Sequence, residues 1–283
     1  MKTFFVFFIS LLFVLATSDV KSDVIKISAN RVIYNSFHKL TDEKKCFEVN
    51  DFTEMNTHRG VIELILICKA LHRGGLSPDI QLKEVPNYSR ALVEATKGNV
   101  TMPAETAWNV EINQSDFYVT EPIFAKGSIE LGIYALPSNK SIMKINSVKE
   151  LKNYKAVSSD RWVVDWSTLN AMGINVHCVP KLHLMFKFIA AGRADFVLNE
   201  FSSKEDFSMK IAGVRLIPVP NIKIALDGSR HFVVSRNAPN AENVFKALQK
   251  GLSELRQESA ISRAFKESGI VNSRVKDWQL IYP

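Results

Sequence analysis

The chain runs the same alternation of strand and helix twice, and this repetition limits its fold more than any other feature. Val24 to Ser28 alternates apolar and polar residues as a half-buried strand does, and Arg31 to Tyr34 is predicted to be a second short strand. Residues 36 to 57 are polar and irregular, as a loop over a site would be. Arg59 to Arg73 carries Ile62, Ile65, Leu66 and Cys68 at helical spacing, with Leu71 beyond, and Gly74-Gly75 stops it. Asp79 to Val85 alternates again. Ser89 to Lys97 is a short helix closed by Gly98, and Asn99 to Met102 is a strand.

After an extended run, Ile129 to Leu136, the order restarts. Ser147-Val148-Lys149-Glu150 is a capping box that opens a helix to Tyr154. Strands follow at Lys155 to Ser158, Ile174 to Val179, Asp195 to Asn199 and Val214 to Val219. Between them lie helices at Trp162 to Met172 and Leu182 to Ala191, and a polar helix around Lys204 to Ala212. Arg230 to Ser235 is extended, and Ala241 to Ile270 is helical and expected to cover the first half. Alternating order of this kind gives a largely parallel sheet with helices on its faces. The expected result is one lobe built from residues 23–126 and 226–283, a second lobe from residues 127–225, and two extended crossings between them. Ligands of open α/β sheets lie outside the carboxyl ends of the strands, so the cleft between the lobes is the expected site.

The first residues set the compartment. Lys2 is followed by an apolar run from Phe4 to Ala16, broken only by Ser10, and then by Ala16-Thr17-Ser18. This is the three-part pattern of a secretory signal over residues 1–18, with cleavage after Ser18 or after Ser22. The run is 13 residues long, against about 20 for a spanning helix. No cysteine precedes Cys46, so no lipid anchor at a cleavage-site cysteine is expected. The net charge of +7 is scattered along the chain, which argues against nucleic acid as a partner and leaves a weak bias toward anionic ligands. An oxidising compartment allows one disulfide among Cys46, Cys68 and Cys178. Cys46 with Cys68 is the only pairing within one lobe, while the apolar run around Cys68 also suits a core thiol. A Cys46–Cys178 bridge would join the two lobes and restrain the hinge.

Several segments carry a resemblance. "YSRALVEATKGNVTM" is similar to a helix, glycine and strand of the type 2 periplasmic binding proteins, although their usual acid after the glycine is here Asn99 or Val100. "SDFYVTEPIFAKGSIELGIYALPSN" resembles their entry into the second lobe, and "INSVKELKNYKAVSSD" a following helix and strand. "MFKFIAAGRADFVLNE" is the strongest match, and "RHFVVSRNAPNAENVFKALQKGL" resembles the closing strand and helix. "DRWVVDWSTLNAMGINV" resembles a subgroup of transporter substrate-binding domain proteins. The chain thus resembles the extracellular solute-binding family 3 group, which includes polar amino-acid binders. The resemblance implies an α/β, two-lobed fold, each lobe a mostly parallel sheet flanked by helices, with two crossing hinge strands. It implies a periplasmic protein that captures a small polar solute for an inner-membrane transporter or sensor protein. A monomer without cofactors is expected.

Candidate binding residues follow from strand ends and helix starts. Glu200 follows the strand Asp195 to Asn199, and an acid at the matching position in amino-acid binders holds the ligand's ammonium group; a solvated acid is the alternative. Ser158, Ser159, Asp160 and Arg161 precede a helix whose free N–H groups suit an anion, and Asp160 equally suits an ordinary helix cap. Trp108, Trp162 and Trp166 offer rings for stacking; the helical spacing of Trp162 and Trp166 implies that at least one of these two is buried, and Trp108 is the better ligand candidate. Between Met102 and Asp116, where amino-acid binders place an arginine for the ligand carboxylate, there is no basic residue. Either Arg90 or Arg161 replaces it, or the ligand is not an ordinary α-amino acid; the second reading is preferred. His177, Cys178 and His183 are poorly placed for a metal, and no nucleophile elbow, zinc-protease or phosphate-loop motif occurs. Two rivals to solute capture are a hydro-lyase on the same fold, working through Glu200 and a histidine, and a ligand-free protein-interaction module.

Overall fold

The computed structural model describes residues 23–42, 44–53 and 58–282, so the expected signal segment lies outside the described residues. The chain opens with strand β1 (Asp23–Asn30). Asn30 then accepts from the backbone N–H groups of Val32 and Ile33 and starts helix α1 (Arg31–Thr41). The reading of Arg31 to Tyr34 as a strand is therefore corrected. The side-chain cap decides the local conformation, and Ile33 and Phe37, four residues apart, form its buried stripe. Helix α2 (Arg59–Arg73) is buried from Gly60 to Leu71. Strand β2 (Pro78–Val85), helix α3 (Tyr88–Thr96) and strand β3 (Met102–Pro103) follow. β1 lies between β2 and β3 and is parallel to both. Two short strands, β4 (Ala107–Trp108) and β5 (Phe117–Val119), lead to the crossing.

The second lobe contains β6 (Glu130–Ala135), α4 (Val148–Leu151), β7 (Lys155–Ser158), α5 (Val163–Ala171), β8 (Asn175–Cys178), α6 (Leu182–Ala190) and β9 (Phe196–Asn199). It continues with β10 (Met209–Ile211), β11 (Val214–Pro218) and β12 (Ile222–Ala225). β7 runs parallel to β8 and β9, while β6 is antiparallel to β9, β11 and β12. Both faces of the sheet are buried: Ile133 and Phe196 pack on one side, Tyr134 and Val197 on the other. The polar helix expected around Lys204 to Ala212 is absent among the described residues; that segment is a loop followed by β10. Ala212 and Gly213 both have positive φ, which makes the tight turn that pairs β10 with β11 as a hairpin.

The two crossings run antiparallel. Ile123 and Phe124 donate from their N–H groups to the Arg230 carbonyl, and Arg230 N–H donates back to the Phe124 carbonyl. The returning chain forms β13 (Arg230–His231), paired with β4, and β14 (Val233–Ser235), paired with β5. Helices α7 (Ala241–Gln257) and α8 (Ala260–Glu267) then cover α2. The approach of α7 to α2 needs glycine on both helices. A Cβ at Gly251 would meet the Ala70 carbonyl, and one at Gly74 the Ala247 carbonyl. The chain ends differently from expectation: strand β15 (Gln279–Tyr282) pairs parallel with β12 in the second lobe's sheet, not with the first lobe.

Cys46 and Cys68 are joined by a disulfide, and Cys178 is free and exposed. Cys68 is thus both a core residue and a bridged one. The bridge works beside buried Lys69, whose Nζ donates to the carbonyls of Phe47 and Val49 and to Asn50 Oδ1. Together they fasten residues 44–53 onto α2. Replacing both Cys46 and Cys68 by Ala is expected to lower unfolding free energy by about 3 kcal/mol for a loop of this length. It should also open residues 44–53 to proteolysis in native buffer. Unchanged denaturant midpoint and protease resistance would show that the bridge contributes nothing to holding this segment.

Candidate ligand-binding cleft

A cleft of about 330 Å³ lies between the lobes. From the first lobe it receives Arg59 at the start of α2, Tyr88 at the start of α3, Glu105 after β3 and Trp108 on β4. From the second it receives Arg161, Trp162 and Asp165 at the start of α5, and Asn199 and Glu200 at the end of β9. Arg230, on the returning crossing, completes the floor.

The floor is organised by Glu63, one helical turn after Arg59 and fully buried. Its carboxylate accepts from Arg59 Nη1 at 2.5 Å, from the Thr106 N–H at 3.0 Å and from the Thr106 hydroxyl at 2.8 Å. Arg230 donates from Nε to Thr106 Oγ1 at 2.8 Å and from Nη2 to the Thr106 carbonyl. Burial alone would raise the Glu63 pKa, but the charges of Arg59 and Arg230 and the bonds from Thr106 outweigh it, so the carboxylate stays ionised well below its ordinary range. A buried charge is tolerated only when paired and hydrogen-bonded, and Glu63 meets both conditions. The Arg230 guanidinium also lies 4.6 Å from the Trp108 ring centroid and 5.6 Å from that of Tyr88.

Arg59 reaches across the cleft as well. Its Nε stands 3.6 Å from Glu200 Oε1, and its Nη2 is 4.0 Å from Glu105. The Glu200 side chain is 47% exposed against 13% for Arg59, so the Glu200 end of this cross-lobe pair is open to solvent and the pair contributes little stability. Asp165 is the opposite case. Burial pushes its carboxyl up to about 7, and the neighbouring Glu200 charge adds to the rise against the opposing Arg230. Apart from its own backbone N–H, Asp165 has no hydrogen-bond donor among the described residues. Tyr88, in contrast, donates its hydroxyl to Glu111 at 2.5 Å.

Glu200, Trp108, Arg161 and Trp162 line the cleft together. Trp108 is only 8% exposed, because one face meets Arg230 and its edge packs near Gly228. Ser158 and Ser159 are buried behind the cleft wall, and Ser159 Oγ accepts from the Arg161 N–H. Asp160 is exposed and does not cap α5; Trp162 occupies the cap position without a side-chain bond. Arg90 is corrected as a cleft residue: its guanidinium pairs with Glu94 at 2.6 Å, one turn along α3, and does not line the cleft. Sequence reasoning missed Arg59, Glu63, Glu105, Asp165 and Arg230. The one available signal was an Arg and a Glu four residues apart at the head of a helix that is apolar from Leu64 to Cys68.

The Asp165 carboxyl gives this geometry a measurable consequence. In the unfolded chain it titrates near 3.8, and in the fold near 7. Between those values the folded state holds a proton that the unfolded state lacks, so this contribution to stability is full at low pH and lost as pH rises through about 7. Asp165→Asn is neutral throughout and is expected to raise the thermal midpoint more at pH 8 than at pH 5. An equal change at both pH values would show that burial does not hold the carboxyl protonated.

No family model matches this chain, and no curated protein matches it. Solved structures do. The probable amino-acid ABC transporter extracellular-binding protein ytmK from Bacillus subtilis is 14% identical, with a TM-score of 0.57 over 87% of this chain and 97% of that one. The periplasmic VFT2 domain of Bordetella pertussis BvgS is 16% identical, with a TM-score of 0.54 over 85% and 92%. The second substrate-binding domain of Lactococcus lactis GlnP, in an open conformation, is 15% identical, with a TM-score of 0.52 over 88% and 96%. These similarities span nearly the whole of each molecule and establish the architecture: the chain has the two-lobed α/β fold of the type 2 periplasmic binding proteins.

Proposed function

We propose that this chain is an exported solute-binding protein that closes its two lobes on a small cationic solute, an amine or guanidinium compound, without covalent chemistry. The observation that carries the reading is the charge state of the cleft. Its two floor guanidiniums, Arg59 and Arg230, are already engaged by Glu63, Glu105 and Thr106. On the second lobe, half-exposed Glu200 meets only Arg59, at 3.6 Å, and Asp165 has no partner beyond its own backbone. A cation entering between the lobes would take over Glu200 from Arg59 and draw Asp165 into its ionised form. The aromatic side chains of Trp162 and Tyr88 border the same space and suit a cation or its apolar stem.

The preference against ordinary α-amino acids rests on the same accounting. Met102 to Asp116 has no basic residue, and the guanidiniums that occupy this region in space are neutralised by the protein itself. Export is supported by the Cys46–Cys68 bridge, which suits an oxidising compartment, and among the described residues no helix is long and apolar enough to cross a membrane. A binding role, not catalysis, is supported by the similar structures, which are named as binding proteins and substrate-binding domains. The closed form would be read by an inner-membrane transporter or sensor.

Calorimetry with agmatine, putrescine, L-arginine and L-glutamate tests this on the wild type and on Glu200→Gln. The carboxylate-free cations should bind best. Losing one partner of a desolvated charged pair costs about 2–5 kcal/mol, so Glu200→Gln should weaken them by roughly 30-fold or more. Unchanged affinity in Glu200→Gln would remove Glu200 from the site. Tighter binding of L-glutamate than of either amine would reverse the assigned charge preference.

A further inference from the structure

The last thirteen described residues do more than end the chain. Helix α8 stops at Gly269, whose φ of +77° turns the backbone out of the helix, and the Val271 N–H still bonds back to the Phe265 carbonyl in the first lobe. Four residues later the chain is held by the second lobe. Buried Lys223, on β12, donates from Nζ to the carbonyls of Val275 and Lys276, and pairs with Glu130 at 2.7 Å. Trp278 packs edge-on against Phe201 and Phe207, at 5.3 and 5.5 Å between ring centroids. β15 then joins the sheet beside β12.

On the way the segment grips the loop that follows Glu200. The Arg274 guanidinium donates to the carbonyls of Ser203, Lys204 and Glu205 at 3.0, 2.8 and 3.2 Å, and approaches that of Ser202 at 3.5 Å. The same guanidinium lies 4.3 Å from the Phe207 ring centroid. Asn272 Nδ2 donates to the Ser202 carbonyl at 3.1 Å, and from the other side the Ser202 N–H donates to the Tyr134 hydroxyl. Carbonyls gathered around one planar cation fix a loop more rigidly than separate contacts, because the guanidinium fork fixes several donor directions at once. Ile270, Asn272 and Val275 also wall a small cavity of about 50 Å³ whose other lining includes Arg59 and Glu200. The tail therefore stands directly behind the cross-lobe ion pair.

We infer that Ile270–Tyr282 is a third link between the lobes, and that Arg274 is a positioning residue that sets the Glu200 loop for binding. The assignment of a binding role to Glu200 rests on the function proposed above; the link itself does not. Two extended crossings alone leave a hinge free to open. A third connection from α8 to β15 limits how far, and it ties the carboxylate on the second lobe to a helix of the first. The position of Glu200 then depends on the hinge angle, which makes ligand affinity and lobe closure parts of one equilibrium.

Two measurements on the full chain test this without any ligand. Spin labels on the native exposed Cys178 and on Asn243→Cys in α7 report the distance between lobes. Arg274→Ala with Asn272→Ala removes the grip, and six Gly/Ser residues inserted after Gly269 lengthen the link while leaving both lobes intact. The wild type should give one narrow distance distribution, and the insertion a broader one reaching longer distances. In Arg274→Ala/Asn272→Ala, amide exchange across residues 202–208 should accelerate about tenfold or more, while α2 stays protected. Arg274→Lys should recover only part of this protection, since an ammonium cannot reproduce the fork. An insertion variant with the wild-type distribution would overturn the link. Unchanged exchange at residues 202–208, or exchange that rises equally in α2, would overturn the positioning role. Either result would leave the Glu200→Gln test of solute binding standing on its own.

Discussion

One buried carboxylate, Glu63, holds the functional half of the molecule together. It has no solvent contact, so its charge requires the Arg59 guanidinium and the two Thr106 donors. Those partners are not incidental. Arg59 is the residue that reaches the second lobe, and Thr106 is the residue that seats Arg230 on the returning crossing. A single charge inside α2 thereby fixes the cleft floor, the angle of the β3–β4 turn and the point where the chain comes back from the second lobe. Removing one partner of such a buried set costs about 3–5 kcal/mol, because the rest stay buried and uncompensated.

The contrast with the second lobe is physical. Floor charges are paired within the protein, whereas Asp165 has no partner beyond its own backbone and Glu200 meets only Arg59, across the cleft. Burial raises the Asp165 carboxyl to about 7 at some expense to stability at alkaline pH, and half-exposed Glu200 faces Arg59 at 3.6 Å. Unsatisfied groups on one lobe facing satisfied groups on the other give the closed state a reason to depend on what lies between them. In the proposed function, the first lobe supplies the floor, and the second supplies the groups whose charge would be settled on binding. The tail, the Lys223 anchor and the Arg274 grip then set how far those groups can move from the floor.

Much of the architecture was legible in the sequence because it rests on local signals. Gly98, Gly173 and Gly192 end their helices with positive φ where the helical spacing runs out, and "GRADFVLNE" places Glu200 at a strand end because a strand after a glycine-closed helix has one direction to run. The misreadings share a cause. Arg31 to Tyr34 is β-branched and aromatic in part, and only the Asn30 cap turns it into a helix. Lys204 to Ala212 looks helical by polarity, but Ala212-Gly213 makes a hairpin turn. The site was less legible. Arg59, Glu63, Thr106 and Arg230 are brought together from positions up to 171 residues apart by α2, the β3–β4 turn and the second crossing, and no local spacing announces that. Arg90 looked available in sequence because its partner, Glu94, sits one turn away on the same helix face and removes it from the cleft. The tail's return to the second lobe was equally hidden, since β15 pairs with a strand more than fifty residues earlier.

Solution X-ray scattering reads closure on a cation most directly. The radius of gyration should be measured for the chain alone, with saturating agmatine, and with saturating L-glutamate. The radius should shrink with agmatine and stay unchanged with L-glutamate. A radius that agmatine leaves unchanged while calorimetry shows it bound, or one that contracts only with the anionic solute, would contradict closure on a cation.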